Sequence, residues 1–388
     1  MAEANTTKAS PSSAQRQPYN SGEALGPQIL KVMMRTHPSE GGAIEVVGDG
    51  SSGFMTRESD YFNGKLKYEV VHDVGAKCQV HWVRDPVVAA KDLGAVLGNS
   101  SIAVGSVPVK ISGFRVMLPG PNYDVAYGIA ESLAEQSMAW TWGIRGKDRR
   151  YSIIMSGSGE VSVNPQNRFE VSGTMSGYCR PGEEIVKQGR EGNVLIGLES
   201  GGVHCSAIAY LLDAFEKRNF AMDRLFDKEV TLGEELAKPT RSYLMPIKRL
   251  MGHISWKVGS VNGVIKGMAH VHARDWRSGE SGLLNLVDLV GAQNNLEVFV
   301  KRSHSLAPQE IFRFVHTELG VSAKDMIMFN NGIGYVMCIE KPYADLVIGH
   351  LRGSGIKADV IGEIRRGKKR LVMESPYDQN SYVYYKTG

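Results

Sequence analysis

The sequence has few of the features that mark secreted, zinc-binding or membrane proteins. Four cysteines occur in 388 residues, at positions 78, 179, 205 and 338, and no two form a Cys-x-x-Cys pair. Scattered thiols favour a reducing compartment over disulfides or a zinc site. No apolar run reaches the ~20 residues of a membrane helix, and the N-terminus lacks the apolar core of a signal peptide. We therefore expect a cytoplasmic protein that does not bind to or span a membrane.

A strong excess of one charge is also missing. The chain has 45 Lys and Arg against 41 Asp and Glu, a formal net charge of +4, so nucleic acid is not an expected partner. Basic residues cluster at 145–150 and 365–370. A solvated loop explains the first cluster, and a hairpin turn between two apolar runs explains the second, more simply than a phosphate or nucleic-acid site does.

The chain does have the length and the 42% hydrophobic content for two α/β domains. Residues 1–20 hold almost no large apolar side chain and are expected to form a disordered tail. We place an N-terminal domain at 21–180 and a C-terminal α/β domain at 190–388, joined by a charged connector.

Apolar periodicity predicts mixed α/β (α+β) secondary structure in both parts. Strands are predicted at 68–71, 102–104, 111–118, 152–155, 170–179, 194–198, 335–339, 360–364 and 371–373. Helices are predicted at 86–97, 122–139, from about 207 onward, 308–319 and 342–352. Pro308 is expected in the first turn of its helix, where a missing N–H costs nothing.

The strongest local signal is a strand that ends in a glycine turn before a helix, between Leu195 and Ser206. Backbone N–H groups at such a helix start point at one spot, where the helix dipole favours an anion. His204 either donates to a phosphate bound there or only caps the turn. The pattern by itself leaves these two interpretations equally open.

This segment resembles one from the aminoimidazole ribonucleotide synthetase (phosphoribosylformylglycinamidine cyclo-ligase) family. The family's Ile-Gly-Leu-x-Ser-x-Gly-x-His is matched from Ile196 to His204, and Cys205-Ser206-Ala207 then replaces Ser-Asn-Gly. Further segments follow in the family's order. They are Pro239–Tyr243 (Pro-Thr-Arg-Ile-Tyr), Ala269-His270 (the start of Ala-His-Ile-Thr-Gly-Gly-Gly) and Phe329–Tyr335 (Phe-Asn-x-Gly-Ile-Gly-Met).

The N-terminal half resembles the family more weakly, in the same order. His72–Lys77 is similar to Asp-Gly-Val-Gly-Thr-Lys, and Asp92 to Ser100 parallels a family segment that begins Asp-Leu-Val-Ala-Met and ends Asn-Asp. The resemblance implies a two-domain synthetase-like fold. In that fold the N-terminal domain contributes to a dimeric β-barrel, and the C-terminal domain is a mixed sheet with helices. A homodimer is therefore expected.

The resemblance also implies the reaction, which is the ATP-dependent ring closure of formylglycinamidine ribonucleotide to aminoimidazole ribonucleotide. ATP and Mg²⁺ are the implied cofactors, and a nucleotide is the implied substrate. The implied catalytic residues are Lys77, His204 and His270. The implied ATP-side residues are Asp73, Gly75, Lys77, Asp92 and Asn99, with Asp73 and Asp92 as metal ligands. The implied substrate residues are Gly202, His204, Thr240, Asn330 and Gly332.

Two departures from the family bear on this assignment. Ser100 stands where the family has a second metal-side Asp, and the segment Trp142–Gly146, expected near the family's Gly-Gly-Glu-Thr, contains no carboxylate. Mg²⁺ prefers oxygen ligands, so the loss of two carboxylates favours one alternative, a catalytically degenerate or re-purposed member that binds a nucleotide or acts as a structural partner. Another alternative is a superfamily enzyme that acts on selenide, thiamine phosphate or a hydrogenase maturation intermediate. If the chain is catalytic, Asp92→Asn is expected to abolish Mg²⁺-dependent turnover and to leave the fold intact.

Overall fold

The computed structural model describes most of the chain from residue 65 onward. The described ranges are 32–33, 35–36, 44–50, 53–58, 65–143, 150–156, 159–179, 183–205, 207–227, 229–272 and 282–386. The predicted tail at 1–20 and most of the basic segment 145–150 lie outside these ranges.

The N-terminal half is built around a five-stranded sheet. The strands of this half are β1 (Ile44–Gly50), β2 (Gly53–Glu58), β3 (Leu66–Asp73), β4 (Val107–Leu118), β5 (Thr141–Gly143), β6 (Arg150–Ser152), β7 (Ile154–Met155), β8 (Glu160–Val163) and β9 (Glu170–Cys179), and its helices are α1 (Lys77–Arg84), α2 (Ala89–Ala103) and α3 (Tyr123–Ala139). The sheet order is β3-β9-β4-β7, and β8 also pairs with β4. β9 is antiparallel to β3 and β4, whereas β7 and β8 run parallel to β4. β1 pairs with β2 and β5 with β6 in two small separate sheets.

Partway along strand β4, the residues that face the core change from odd-numbered to even-numbered positions. Val109 and Ile111 are buried before a bulge, and Phe114, Val116 and Leu118 are buried after it. An extra residue reverses the side-chain alternation of a strand. Gly113 lies at this irregularity with a φ of +57°, which suits a residue without a Cβ.

Helix α2 is longer than the predicted helix at 86–97, and the predicted strand at 102–104 is wrong because α2 continues to Ala103. Ile102 is β-branched and favours a strand locally, but it is fully buried in the core as part of the helix. A Cβ on Gly94 would lie 1.8 Å from Gln136 Oε1 of α3, and one on Gly98 would lie 3.2 Å from Leu244 Cδ2. The small residues of α2 therefore allow neighbours from both halves to approach it closely.

The C-terminal half contains a seven-stranded sheet. Its strands are β10 (Val194–Glu199), β11 (Ile265–His270), β12 (Leu296–Val300), β13 (Ile333–Ile339), β14 (Ala358–Arg366), β15 (Leu371–Glu374) and β16 (Ser381–Tyr384), and its helices are α4 (Ile208–Lys217), α5 (Leu232–Ala237), α6 (Leu244–Val258), α7 (Glu310–Thr317) and α8 (Ala344–Gly353). The order is β11-β13-β10-β14-β12-β15-β16. Every neighbouring pair is antiparallel except β12 and β15.

Residues of this sheet alternate between two apolar layers. Ile196 and Leu198 of β10 belong to the core that includes α6 and α8, whereas Leu195 faces a layer formed by the 3-10 helix Gly282–Val290. Burial on both faces explains why β10 and β13 are continuous apolar runs. The first of these cores also contains Leu93 and Leu97 of α2, so one apolar cluster joins the two halves.

Two details of the C-terminal half correct the sequence predictions. Helix α7 begins at Glu310 with Gln309 as its N-cap, so Pro308 precedes the helix and does not lie in its first turn. Segment 365–370 is not a hairpin turn, because β12 lies between β14 and β15 and pairs with both. Gly367 and Lys369 donate backbone N–H groups to Asn295 and Asn294 just before β12, so the segment crosses the end of that strand.

The predicted fold class is confirmed as a mixed α/β structure with two sheets and helices. The dimeric barrel stays a prediction. Within the described residues, no helix combines the length and the apolarity required to cross a membrane.

Candidate active site

Two polar side chains of α2, Asp92 and Asn99, are fully buried and lie two helical turns apart on one face. Asp92 Oδ1 accepts a hydrogen bond from the backbone N–H of Thr240 at 2.6 Å and lies 3.3 Å from Lys77 Nζ. Asp92 Oδ2 bonds with His81 Nε2. Both carboxylate oxygens of Asp92 are thus engaged by protein donors.

Lys77 and His81 lie four residues apart on one face of α1 and reach the same carboxylate. Burial by itself raises the pKa of Asp92, but the positive charge of Lys77 and the hydrogen bonds from His81 and Thr240 outweigh burial and hold the pKa below its usual range. Lys77 also donates to the carbonyl oxygen of Lys238. The charge of Lys77 is therefore neutralised inside the protein.

Asn99 bonds to the C-terminal end of the segment 238–243. Its Oδ1 accepts the backbone N–H of Tyr243 at 2.7 Å, and its Nδ2 donates to the carbonyl oxygen of Arg241 at 2.9 Å. The segment 238–243, which contains the Pro-Thr-Arg motif, is therefore attached to α2 at both ends. Thr240 is buried within it, and Arg241 forms an ion pair of 2.8 Å with Glu199 of β10.

His204 lies in the glycine turn after β10 in a left-handed conformation with a φ of +56°. Its Nε2 accepts the backbone N–H of Gly201 at 3.0 Å, so the proton of the neutral ring is on Nδ1. Burial, with a contribution from the charge of Lys77, lowers the pKa of His204 to about 3. The ring is therefore neutral at pH 7.

His270 at the end of β11 has the same tautomer for a similar reason. Asn99 uses its Oδ1 for Tyr243, so its Nδ2 is the donor to His270 Nε2 at 3.2 Å, and the ring proton is on Nδ1. Burial, together with nearby His272 and His204, keeps the pKa of His270 well below its usual value.

The Nδ1 atoms of His204 and His270 are both buried, and within the described part of the chain neither has a hydrogen-bond partner. The two ring centroids are 5.9 Å apart. A buried donor without a partner costs about 1–3 kcal/mol, so two such donors from neighbouring rings point to a functional use.

The turn before β13 contacts the glycine turn that carries His204. Asn330 Nδ2 donates to the carbonyl oxygen of Gly202 at 2.8 Å, and Asn330 Oδ1 accepts the N–H of Gly332. A Cβ on Gly334 would lie 2.0 Å from the hydroxyl of Tyr243 and 2.5 Å from His204 Cε1. Only glycine allows this approach, which explains the Gly-Ile-Gly pattern at 332–334.

The predicted metal ligands differ in their surroundings. Asp73 is the last residue of β3 and is exposed, as is the ATP-side residue Gly75, whereas Asp92 is saturated by donors. When His72–Lys77 is aligned residue for residue with Asp-Gly-Val-Gly-Thr-Lys, His72 and not Asp73 takes the place of the family's Asp, which is a third departure beside those at Ser100 and Trp142–Gly146. His72 Nε2 lies 2.9 Å from Ser100 Oγ, the position of the other missing aspartate.

These donors do not fit a Mg²⁺ site of carboxylates, because an imidazole and a hydroxyl stand where two charged oxygens would be needed. In the described residues, no group of three or more His, Cys, Asp or Glu side chains is arranged to hold a metal ion. That Asp73 and Asp92 bind a metal therefore stays a prediction. Asp92 would first have to release its protein donors.

Most residues described in this site are candidates from the sequence. His81 is not, and the sequence does not predict the hydrogen bonds that connect the two halves of the chain. The i, i+4 spacing of Lys77 and His81 is a signal that the two share a helix face. No local signal reveals that α2 bonds to the segment 238–243, because these contacts join residues more than 140 positions apart.

Comparison with known proteins finds matches to the family that the sequence motifs resemble. Residues 190–374 match the family described as AIR synthase related protein, C-terminal domain. A phosphoribosylformylglycinamidine cyclo-ligase of Caldicellulosiruptor saccharolyticus is 27% identical over 55% of this chain and 60% of its own length. One of Carboxydothermus hydrogenoformans is 26% identical over 73% of this chain and 75% of its own length. The chain thus spans about 60% of the length of the first of these relatives, which is less than two thirds.

Solved structures share the fold at low identity. Thiamine-monophosphate kinase from Stenotrophomonas maltophilia has a TM-score of 0.59 at 14% identity, covering 90% of this chain and 96% of that one. The hydrogenase maturation protein HypE in complex with ATP has a TM-score of 0.59 at 13% identity, covering 95% and 96%. At these identities the likeness establishes the fold alone.

Proposed function

We propose that this protein uses ATP to close the ring of aminoimidazole ribonucleotide. The proposal is supported by the match of residues 190–374 to the AIR synthase related proteins and by the 26–27% identity of the chain to phosphoribosylformylglycinamidine cyclo-ligases. The observation that carries this proposal is the pair of neutral histidines, His204 and His270, each of which offers a buried Nδ1–H. They lie where the turns at 201–204 and 330–334 meet the Pro-Thr-Arg segment.

The proposed reaction needs positioned donors more than it needs a nucleophile from the protein. The amide oxygen of formylglycinamidine ribonucleotide takes the γ-phosphoryl group of ATP, and ADP leaves. The amidine nitrogen of the substrate then attacks the activated carbon, and phosphate departs with that oxygen. Two N–H donors directed at the oxygen stabilise the negative charge that develops on it. Ring closure is intramolecular, so holding the substrate in one conformation contributes most of the remaining rate.

On the substrate side we assign Gly202, Thr240, Asn330 and Gly332 to the loops that shape the nucleotide site. On the ATP side, Asp73 and Gly75 are exposed, whereas Lys77, Asp92 and Asn99 bond to the segment 238–243. ATP as co-substrate is supported by the fold relative HypE, which is in complex with ATP. No step is assigned to Mg²⁺, because the side chains near Ser100 do not fit it.

The purified protein is expected to release ADP from ATP only when formylglycinamidine ribonucleotide is present. Thiamine monophosphate serves as the control substrate, because a kinase of the same fold acts on it. Release with thiamine monophosphate and not with the purine nucleotide would assign the chain to a different activity.

One observation favours a second candidate, a nucleotide-binding member without phosphoryl transfer. His72 and Ser100 bond to each other where the family carries carboxylates, so the charge that neutralises a triphosphate–metal complex is reduced there. Calorimetry separates the candidates. Binding of the purine nucleotide without any ADP release supports the non-catalytic protein.

We further propose that the protein is a homodimer. Within the described residues β3 pairs only with β9, which leaves an edge strand whose Leu66 and Val71 are 46% and 69% exposed. Exposed apolar edges of this kind are normally covered. Light scattering is expected to give twice the chain mass of 42.5 kDa at micromolar concentration, and a stable monomer would contradict this prediction.

A further inference from the structure

The segment that follows Glu374 contacts the turn that we assign to the nucleotide substrate. The family match ends at residue 374, and the chain continues through a loop into β16. Tyr377 in this loop donates its hydroxyl to Asn331 Oδ1 at 2.6 Å. Asn331 is buried and lies between Asn330 and Gly332.

Asn331 has a left-handed backbone, with a φ of +47°, which is an unfavourable conformation for a residue with a Cβ. Its Nδ2 donates to the carbonyl oxygen of Met326 at 2.8 Å, so the side-chain amide is held from both sides. The hydroxyl of Tyr377 therefore helps to keep the turn in a conformation that it would not favour alone.

The turn passes this constraint on to the loop that carries His204. Asn330 Nδ2 donates to the carbonyl oxygen of Gly202, and the backbone N–H of Ser200 donates to the carbonyl oxygen of Gly332 at 2.9 Å. Hydrogen bonds at both ends, joined by the backbone of residues 330–332, thus connect Tyr377 with the glycine turn after β10.

The C-terminal segment is itself fixed in place. Arg302 donates its backbone N–H to Glu374 and its guanidinium to the carbonyl oxygen of Ser375 and the side chain of Gln379. The ring of Tyr377 packs against His316, with centroids 4.9 Å apart. The hydroxyl of Tyr377 is therefore presented to Asn331 by a braced loop.

We propose that Tyr377 is a positioning residue, which holds the turn Asn330–Gly332 in the conformation that binds the nucleotide substrate. The identity of that substrate rests on the proposed function above. The residue touches no substrate atom and acts through Asn331.

The test compares Tyr377→Phe with Tyr384→Phe. Tyr384 is a matched control, because it is half-buried in the same C-terminal part and donates its hydroxyl at 2.8 Å to the carbonyl oxygen of Lys324, which lies outside the turn Asn330–Gly332. In Tyr377→Phe, amide hydrogen exchange of residues 198–204 and 329–334 is expected to become about 5- to 10-fold faster, and in Tyr384→Phe it is expected to remain at the wild-type rate.

The kinetic measurement separates positioning from general loosening. Tyr377→Phe is expected to raise the KM for formylglycinamidine ribonucleotide about fivefold, with kcat within about twofold and the KM for ATP unchanged. Wild-type exchange in both variants would overturn the proposal, as would equal changes in both. If no variant or wild type turns over the substrate, the proposed function fails, and the exchange rates alone decide whether Tyr377 positions the turn.

Discussion

Asp92→Asn is expected to lower the free energy of unfolding by about 3–5 kcal/mol. The substitution keeps the size of the side chain but leaves Lys77 buried without a countercharge, and Lys77 and Asp92 are both fully buried. It also replaces one of the acceptors of His81 and Thr240 with an amide nitrogen. Urea unfolding of the purified variant measures the loss. The carboxylate connects the two halves, so this variant is not expected to keep its fold as stable as the sequence alone predicts.

The matched control for this variant is Asp213→Asn. Asp213 pairs with Lys217 at 2.7 Å on the surface of α4, where the two side chains are 55% and 72% exposed. An exposed pair of this kind contributes little to stability, so this variant is expected to unfold at nearly the urea concentration of the wild type. If both variants unfold like the wild type, and Asp92→Asn instead loses Mg²⁺-dependent ATP binding, Asp92 is a metal ligand and not a connection between the halves.

Acidification from pH 7 to pH 5 is expected to destabilise the protein by about 2 kcal/mol through His204, and His270 adds a loss of the same sign. Burial lowers the pKa of both rings in the folded state, that of His204 to about 3. The unfolded chain binds protons below about pH 6.5, and the folded protein does not. The stability is therefore fully present above pH 6.5 and is lost as the pH falls toward 3. Asp92 contributes nothing in this window, because its ordinary pKa of 3.8 already lies below it and the fold lowers it further.

Urea midpoints measured every half pH unit test this dependence. His270→Gln removes one of the two groups, so its stability is expected to fall less steeply with decreasing pH than that of the wild type below pH 6. The smaller shifts of His304 and His350 have the same sign and remain in both proteins. A wild-type stability that is flat between pH 7 and pH 5 would contradict the assignment of two buried neutral imidazoles.

The sequence predicts the parts of the fold that local pattern controls. The continuous apolar runs at 194–198 and 335–339 are buried strands, and the helix at 122–139 begins one residue later, at Tyr123. The site loops are also predicted, because the glycines at 202, 332 and 334 and the histidines at 204 and 270 occur in a recognisable order.

The features that the sequence does not predict depend on long-range contacts. The apolar residues at 102–104 favour a strand locally, but the core makes them the end of α2. Segment 365–370 looks like a hairpin turn because nothing nearby in sequence indicates that β12 lies between its two strands. For the same reason the sequence does not predict that Asp92 and Asn99 connect the two halves, since both side chains bond to a segment in the other half.

The proposed cyclo-ligase activity is tested most directly by its product. Purified protein is incubated with ATP and formylglycinamidine ribonucleotide, and aminoimidazole ribonucleotide and ADP are both quantified by mass spectrometry. The account predicts one molecule of ring-closed product for each ADP. It also predicts a rate about 10²- to 10³-fold lower in His270→Gln, which lacks one Nδ1–H donor, and an unchanged rate in His253→Gln, whose ring stacks on His350 of α8. Absence of the ring-closed product in the wild type, or equal rates in the three proteins, would contradict it.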